Sequence, residues 1–422
     1  MPISEDVLVI GGGLSGGAAA LQAAKTGASV RLVSHKESTL RHASGLIDVL
    51  GYIPTQTDQT GPIANPFDAL DDVPDGHPYS IVGKKGVRDG LALFDEIVGD
   101  TYAGDHTDAN ALIPTHGGSI KPTTRYPRST AAGLASDDRA MLLVGFESLA
   151  DFDAPLAAEH LAATGVPFET DGVTVPFPGD FRDDAKITRF ARALDQDEND
   201  ARKTLANTVE PHLNDAERIG FPSILGDDRN ADVRDELESR LGVPVFEVPG
   251  GPPSLPGLRL EDRLFEALDE AGVRISTGNP VVGYETNSKN DRITAVRVDQ
   301  NGQQIPYYAA QFVLATGGLV GKGIDTDRDG VREPIFDCHV PHPDDRYDWF
   351  TDDAFGDHPF ARFGVVPDDT LRPIDANGDP EFENLRAAGS VLGGADIAAE
   401  KSGSGVSLAT GQLAGRNAGD KI

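Results

Sequence analysis

The chain has 422 residues, 68 of them acidic against 37 basic, and a formal charge of −31. That balance repels phosphate backbones and excludes nucleic-acid binding. The single cysteine, Cys338, excludes an internal disulfide and a cysteine-ligated iron–sulfur cluster, and no apolar run reaches the ~18–20 residues of a membrane helix.

The first predicted element is a buried strand, Val7 to Ile10, which runs into Gly11-Gly12-Gly13-Leu14-Ser15-Gly16 and an alanine-rich helix. Glycine suits Gly11 for the tight turn, Gly13 for close approach of backbone to a pyrophosphate, and Gly16 for helix–strand packing. The free N–H groups and positive end of the helix favour a phosphate. Gly27 ends the helix and Ala28 to Val33 supplies a second strand, completing a βαβ unit. The acid that commonly binds the ribose hydroxyls at the end of that strand is replaced here by Ser34 or His35.

Pro54 to Pro78 reads as a loop rich in Pro, Gly and Asp. Helical apolar spacing follows at Val87 to Val98, Pro155 to Thr164 and Ala185 to Leu194, with a buried strand at Met141 to Phe146. This block carries no nucleotide fingerprint and reads as an inserted cap. The pattern then returns to helix (Leu258 to Gly272), strand (Val273 to Ser276) and a three-stranded meander (Val281 to Tyr308). Gln311 to Gly318 is a core strand ending in Ala315-Thr316-Gly317-Gly318. After an irregular stretch, Leu385 to Ser390 ends in Ala388-Gly389-Ser390, and Ser402-Gly403-Ser404-Gly405-Val406 opens a last helix. This order is that of a flavoprotein with two dinucleotide folds. Thr316-Gly317 brings backbone to the flavin, and the positive end of the Gly403–Gly405 helix stabilises the charge that a reduced flavin develops at N1 and the C2 carbonyl.

Behind the first βαβ unit stands Leu40-Arg-His-Ala-Ser-Gly-Leu-Ile-Asp-Val-Leu50, with Ser44, Gly45, Asp48 and Leu50 in a fixed pattern. This segment resembles the signature of the B subunits of anaerobic glycerol-3-phosphate dehydrogenases. Ile113 to Thr123, Leu143 to Phe152, Ala388 to Gly394 and Ser402 to Gly405 are similar to the same family. The resemblance covers essentially the whole chain. It implies a respiratory complex that oxidises sn-glycerol 3-phosphate to dihydroxyacetone phosphate. The implied partners are a catalytic flavoprotein (the A-type component) and an iron–sulfur, membrane-anchoring protein (the C-type component), with electrons passing to quinone. The family's flavin is FMN, whereas the full pyrophosphate loop argues for FAD.

Other constellations are weaker. Lys121, Arg125 and Arg128 form a cationic cluster, equally suited to clamping a phosphate and to structural salt bridges. Among the histidines, His42 and His116 have the better claims to proton transfer because of their flanking motifs. Catalytic residues stay unassigned, with His42, His116, Lys121 and Arg125 as candidates. Asp325 to Gly330 imitates the start of a calcium loop, but Phe336 stands where the closing glutamate belongs, so no metal is expected. Acids are spread along the chain and only 11 of the 37 cations are lysine. Such a surface resembles cytosolic proteins of salt-accumulating halophiles, where a Debye length of ~3 Å at molar salt screens the self-repulsion.

The expected fold is α/β: a two-dinucleotide-fold flavoprotein whose Rossmann-like flavin domain (1–75, 245–320 and 375–422) carries an inserted α+β cap (76–244 and 321–374). One flavin is expected on Gly11, Gly12, Gly13, Leu14, Ser15, Gly16, Ser34, His35, Ser44, Gly45, Val282, Ala315, Thr316, Gly317, Gly389, Ser390, Gly403, Ser404, Gly405 and Val406. The sequence shows no leader and no membrane span, so the expected location is cytoplasmic, peripheral at the inner face of the membrane through the complex. The alternatives are a stand-alone flavin-dependent reductase resembling fumarate reductase flavoproteins, and a non-catalytic member of the complex.

Overall fold

Four consecutive apolar residues, Val7 to Ile10, are almost wholly excluded from water, and the strand that contains them, Ile3–Ile10, is the centre of the first of two units. The computed structural model describes residues 3–36, 38–53, 61–182, 185–251, 254–354 and 356–422. Residues 54–60 of the expected loop, and Asp183 and Asp184 of the acidic run, lie outside them.

The first unit comprises residues 1–39, 48–98 and 263–422. Its seven-stranded sheet runs Arg274–Thr277, Val30–Ser34, Ile3–Ile10, Gln303–Leu314, Ile293–Gln300 and Val281–Thr286, and Leu385–Ala387 also pairs with Gln303–Leu314. The Rossmann portion is parallel and the meander antiparallel, as the sequence predicts. Parallel strands are covered on both faces, which accounts for the unbroken apolar run at Val7–Ile10.

Helix Gly403–Gly419 packs on helix Leu14–Lys25 with almost no side chain between them. A Cβ at Gly411 would overlap the Ser15 carbonyl, one at Gly415 the Ala19 carbonyl, and one at Gly419 the Thr26 hydroxyl. These glycines recur every fourth residue and so share one helix face. On another face, Gly90 of helix Pro78–Val98 stands where a Cβ would come within 2.7 Å of the Ala409 nitrogen.

The second unit comprises residues 40–47 and 99–262. Its main sheet is ordered Val245–Val248, Arg218–Pro222, Met141–Phe146, Thr170–Val175, and every pairing is parallel. Numbered by sequence the order is 2-1-3-4, that of a doubly wound α/β layer, so the expected α+β cap is corrected to α/β. The signal was weak because Thr170–Val175 holds an Asp and a Gly, Arg218–Pro222 a Gly and a Pro, and Val245–Val248 a Glu, all poor strand formers. Leu142, Val144, Phe146, Phe177, Phe190 and Phe221 build the core. Buried Arg218 donates to the carbonyls of Arg139, Ala132, Leu134 and Asp137.

This division differs from the expected boundaries. Residues 76–98 and 321–374 pack in the first unit, where Val365 N–H donates to the Val391 carbonyl at 2.9 Å. Residues 40–47 and 245–262 pack in the second, where Ile47 and Arg125 form a bridge.

Candidate functional site

In the first unit, four segments converge around Ser15 and Ala315. Gly11 has φ +120°, its N–H donates to the Val33 carbonyl at 2.8 Å, and a Cβ there would overlap the Ala315 carbonyl. A Cβ at Gly16 would overlap the Gly11 carbonyl. These two glycines are therefore required by the protein's own packing. Gly13 is different: it is extended (φ −81°, ψ −173°), and a Cβ there would meet only Thr39 Oγ1, at 3.7 Å. It begins helix Leu14–Lys25 without a side-chain cap and without an acid in the first turn. The helix thus presents open N–H groups beside an open glycine, the arrangement that cradles a pyrophosphate.

The Ala315 N–H donates to the Ile10 carbonyl at 2.8 Å and the Ala388 N–H to the Leu314 carbonyl at 2.9 Å, so both late loops leave the sheet beside the first. Gly317 (φ +85°) and Gly389 (φ +78°) adopt backbone that other residues avoid. Ser390 Oγ accepts from the Gly318 N–H at 3.1 Å, and Thr410 Oγ1 accepts from the Gly389 N–H at 2.8 Å. A Cβ at Gly389 would overlap the Ser15 hydroxyl. Thr316 Oγ1 is buried and has no hydrogen-bond partner in the protein. A buried hydroxyl left unpaired costs about 1–3 kcal/mol. The open face at Gly13 and this unpaired hydroxyl both fit a flavin nucleotide with its phosphates at the first loop and polar ring atoms near Thr316.

Gly403, Ser404, Gly405 and Val406 open the last helix in the same unit, but they are not free to serve the flavin alone. Asp48 Oδ1 accepts from the Ser404 N–H at 2.9 Å, and the Asp48 carbonyl accepts from the Gly405 N–H at 2.7 Å. A Cβ at Gly405 would strike the Tyr79 hydroxyl and the backbone of Asp48 and Val49. Gly405 is thus a packing glycine, the place of its Cβ being taken by the protein itself. Tyr79 donates to the Val49 carbonyl at 2.6 Å. Burial, reinforced by the Asp48 and Glu400 carboxylates, pushes its hydroxyl well above the ordinary value, so it stays a donor.

Just before the helix lies a buried relay that the sequence reading missed. His77 Nδ1 accepts from the Tyr79 N–H at 3.0 Å, which leaves the proton on Nε2 to donate to Glu400, also at 3.0 Å. Ser402 Oγ donates to the same Glu400 oxygen at 2.8 Å. The available signal was an acid and a serine two residues apart, directly ahead of a glycine-led helix.

Of the remaining expected residues, Ser34 ends its strand and donates to the Lys36 carbonyl at 2.6 Å, so it offers a ribose lone pairs only. His35 is exposed, and Val282 lies on the edge strand of the meander, 43% exposed. Ser44 and Gly45 belong to the second unit, where Gly45 (φ +76°) accepts from the Tyr102 hydroxyl at 2.8 Å. His42 and His116 are exposed in that unit. Arg125 donates to the Gly104 and Thr124 carbonyls, and Arg128 to those of Asp100 and Tyr102. Both arginines thus anchor backbone, while Lys121 is half-buried in an antiparallel pair. Cys338 is buried, and burial pushes its thiol well above the ordinary value. Asp325 to Arg332 forms a hairpin in which Arg332 pairs with Asp325 and Asp327.

Residues 6–406 match the family described as FAD binding domain. A Halobacterium salinarum protein, named as a probable B subunit of anaerobic glycerol-3-phosphate dehydrogenase, is 60% identical, covering 100% of this chain and 99% of its own length. The B subunit of the Yersinia pestis bv. Antiqua anaerobic glycerol-3-phosphate dehydrogenase is 32% identical, over 96% of this chain and 95% of its own. A flavocytochrome c3 fumarate reductase in its open conformation aligns with a TM-score of 0.44 at 13% identity, over 99% of this chain and 79% of its own, too loosely to carry an argument. The cofactor is thus a flavin of the FAD-binding type, and the FMN implied by the resemblance finds no support.

Proposed function

The chain belongs to the family of anaerobic glycerol-3-phosphate dehydrogenase B subunits, and from that premise we propose that it is the flavin-carrying B component of a respiratory complex. The complex oxidises sn-glycerol 3-phosphate to dihydroxyacetone phosphate and passes electrons through an iron–sulfur protein to quinone. When bound, FAD supplies electron exchange between a two-electron donor and one-electron carriers. The chain's part is to hold and orient it. Gly11 to Gly16 receive the pyrophosphate at the helix N-terminus, Ser34 and His35 meet the ribose, and Ala315–Gly317 with Gly389–Ser390 border the ring. The observation that carries this reading is Gly13, a glycine whose missing Cβ no protein atom demands.

An A-type flavoprotein that oxidises the substrate and a cysteine-rich C-type protein are the partners this reading requires, since one cysteine cannot hold a cluster. Among the described residues no helix is long and apolar enough to cross a membrane, so contact with quinone passes through the C-type partner at the inner face of the membrane. The acids agree with a molar-salt cytoplasm: among the described residues only seven are buried, and the rest coat the surface. The decisive test is co-purification with cofactor analysis, then activity with a quinone analogue. One FAD per chain is expected, with little glycerol-3-phosphate:quinone turnover alone and restored turnover with A- and C-type partners. Rapid turnover by the isolated chain would favour the stand-alone enzyme, and absence of flavin would favour a non-catalytic role.

A further inference from the structure

Nine large apolar side chains stand exposed among the described residues, and five of them, Val320, Tyr347, Phe350, Phe360 and Val366, fall in the stretch 320–366 of the first unit. We propose that the three rings among them form the docking face for the iron–sulfur partner, which meets it with an apolar centre ringed by lysine or arginine. This face presupposes that the chain is the flavin carrier of a respiratory complex, as proposed above, and assigns the place where one partner meets it.

The rings stand on a built platform. Trp349 lies edge-on to His342 and Phe363, with ring centroids 5.8 and 5.9 Å away, and its Nε1 donates to the Pro343 carbonyl at 2.8 Å. Tyr347 and Phe350 flank it in sequence, their own ring centroids 6.5 Å apart. The short turns Arg346–Trp349 and Pro359–Arg362 pack on each other. His358 joins them: its Nδ1 accepts from the Thr351 N–H at 3.1 Å, and its ring stacks on Phe360 at 5.1 Å. Tyr347 is nevertheless 69% exposed, Phe350 46% and Phe360 40%. Clustered exposed apolar groups mark contact with another macromolecule, and aromatic side chains are enriched at the centres of protein interfaces.

Position selects the partner. The Val365 N–H donates to the Val391 carbonyl at 2.9 Å, the Gly393 N–H to the Val365 carbonyl at 3.0 Å, and the Gly394 N–H to the Arg362 carbonyl at 3.0 Å. A Cβ at Gly364 would come within 2.4 Å of the Gly393 nitrogen. The platform is thus bonded to the residues that directly follow Gly389 and Ser390, the pair assigned above to the border of the flavin ring. On the same loop, Ser390 Oγ accepts from the Gly318 N–H, and Val320, two residues further on, is 96% exposed. Tyr308, the other exposed ring among the described residues, lies apart on the meander. A carrier that takes electrons from the flavin must dock close to it, and these rings are the exposed aromatic surface tied to that loop.

Charge selects the partner's surface. Residues 344–358 hold six aspartates against one arginine, and Arg346 lies 5.5 Å from the Tyr347 ring centroid. Asp344, Asp345, Asp348, Asp352 and Asp353 are exposed, and Asp357 pairs with Arg362 at 2.6 Å. An aromatic centre with an anionic rim is matched by an apolar centre with a cationic rim, and it repels a second copy of this acidic chain. At molar salt the ~3 Å Debye length confines that preference to groups in contact. The rings then supply affinity and the aspartates the choice of partner.

The test is calorimetric titration of the full-length, flavin-loaded chain with the purified iron–sulfur partner in molar KCl. Saturable one-to-one binding is expected. Tyr347→Ser with Phe350→Ser should raise Kd at least tenfold, as the loss of central aromatic anchors does, with flavin content and circular dichroism unchanged. Asp348→Asn with Asp352→Asn should raise it about threefold, the scale of exposed charge pairs. Leu156→Ser, which removes an exposed apolar side chain of the second unit, should not change it. Equal affinity in the ring variant and the wild type overturns the docking face and leaves the proposed function standing. Absence of binding by the flavin-loaded wild type overturns both.

Discussion

The two glycine-rich segments of the first unit look alike in sequence and differ in what makes glycine necessary. At Gly11–Gly16 the protein itself demands the first and last glycines, while Gly13 faces open space. At Gly403–Gly405 the relation is reversed: Gly403 has only Ile397 carbons nearby, at 3.6 and 3.7 Å, and Gly405 is wedged against Tyr79 and the backbone of Asp48 and Val49. A glycine next to a nucleotide loop can therefore serve the ligand or the neighbouring chain. The space around its absent Cβ decides which.

The strongest way to break this comparison is to fill the packing glycines. Gly415→Val should destabilise the first unit by at least about 3 kcal/mol, the upper range for overpacking, because two backbones already touch there. Gly405→Val should likewise lower the melting temperature and lose flavin with it. A melt matching wild type for either variant would refute the packing role. Gly13→Val should separate the two effects. Flavin content of the purified chain falls by more than tenfold, while the stability of the flavin-free chain changes by no more than about 1 kcal/mol, the scale of a helix N-cap substitution. Full flavin content in this variant would remove the observation on which the cofactor site rests.

A milder test concerns the medium. Reducing KCl from molar to ~0.1 M lengthens the Debye length from ~3 to ~10 Å, and with a charge of −31 the melting temperature should fall steadily. A flat melting curve across that range would contradict the halophilic reading. The smallest effect expected is at Asp48. Asp48→Asn keeps an acceptor for the Ser404 N–H but removes a negative charge from the start of the last helix. If the lost repulsion of a reduced, anionic flavin matches that of a charge at a helix end, about 1 kcal/mol, the flavin midpoint potential rises by about 20 mV for a two-electron couple. Spectroelectrochemical titration of the two proteins checks both sign and size.

Much of the first unit was legible because its chemistry is local. Gly11–Gly16, the meander and Ala315–Gly317 announce themselves through turns and unbroken apolar runs. The glycine stripe at Gly411, Gly415 and Gly419 escaped, since its meaning depends on helix Leu14–Lys25, which is distant in sequence. The second unit was harder to read. Its parallel strands carry Asp, Gly, Pro and a buried Glu247 paired with Arg259 at 2.7 Å, so propensity spoke against them while tertiary context selected them. Arg125 and Arg128, crowded in sequence, suited an anion clamp and a structural role equally, and each donates to two backbone carbonyls.

The bonds from Asp48 to the start of the last helix join groups 356 residues apart. Their length along the chain sets an order of assembly. Residues 99–262 can emerge from the ribosome and fold as one continuous run around their own parallel sheet. Helix Leu14–Lys25 must wait with an uncovered apolar face until residues 403–419 have been synthesised, and contacts of such long range slow the final step. During that interval the nascent chain exposes the surface that chaperones bind and that aggregation exploits.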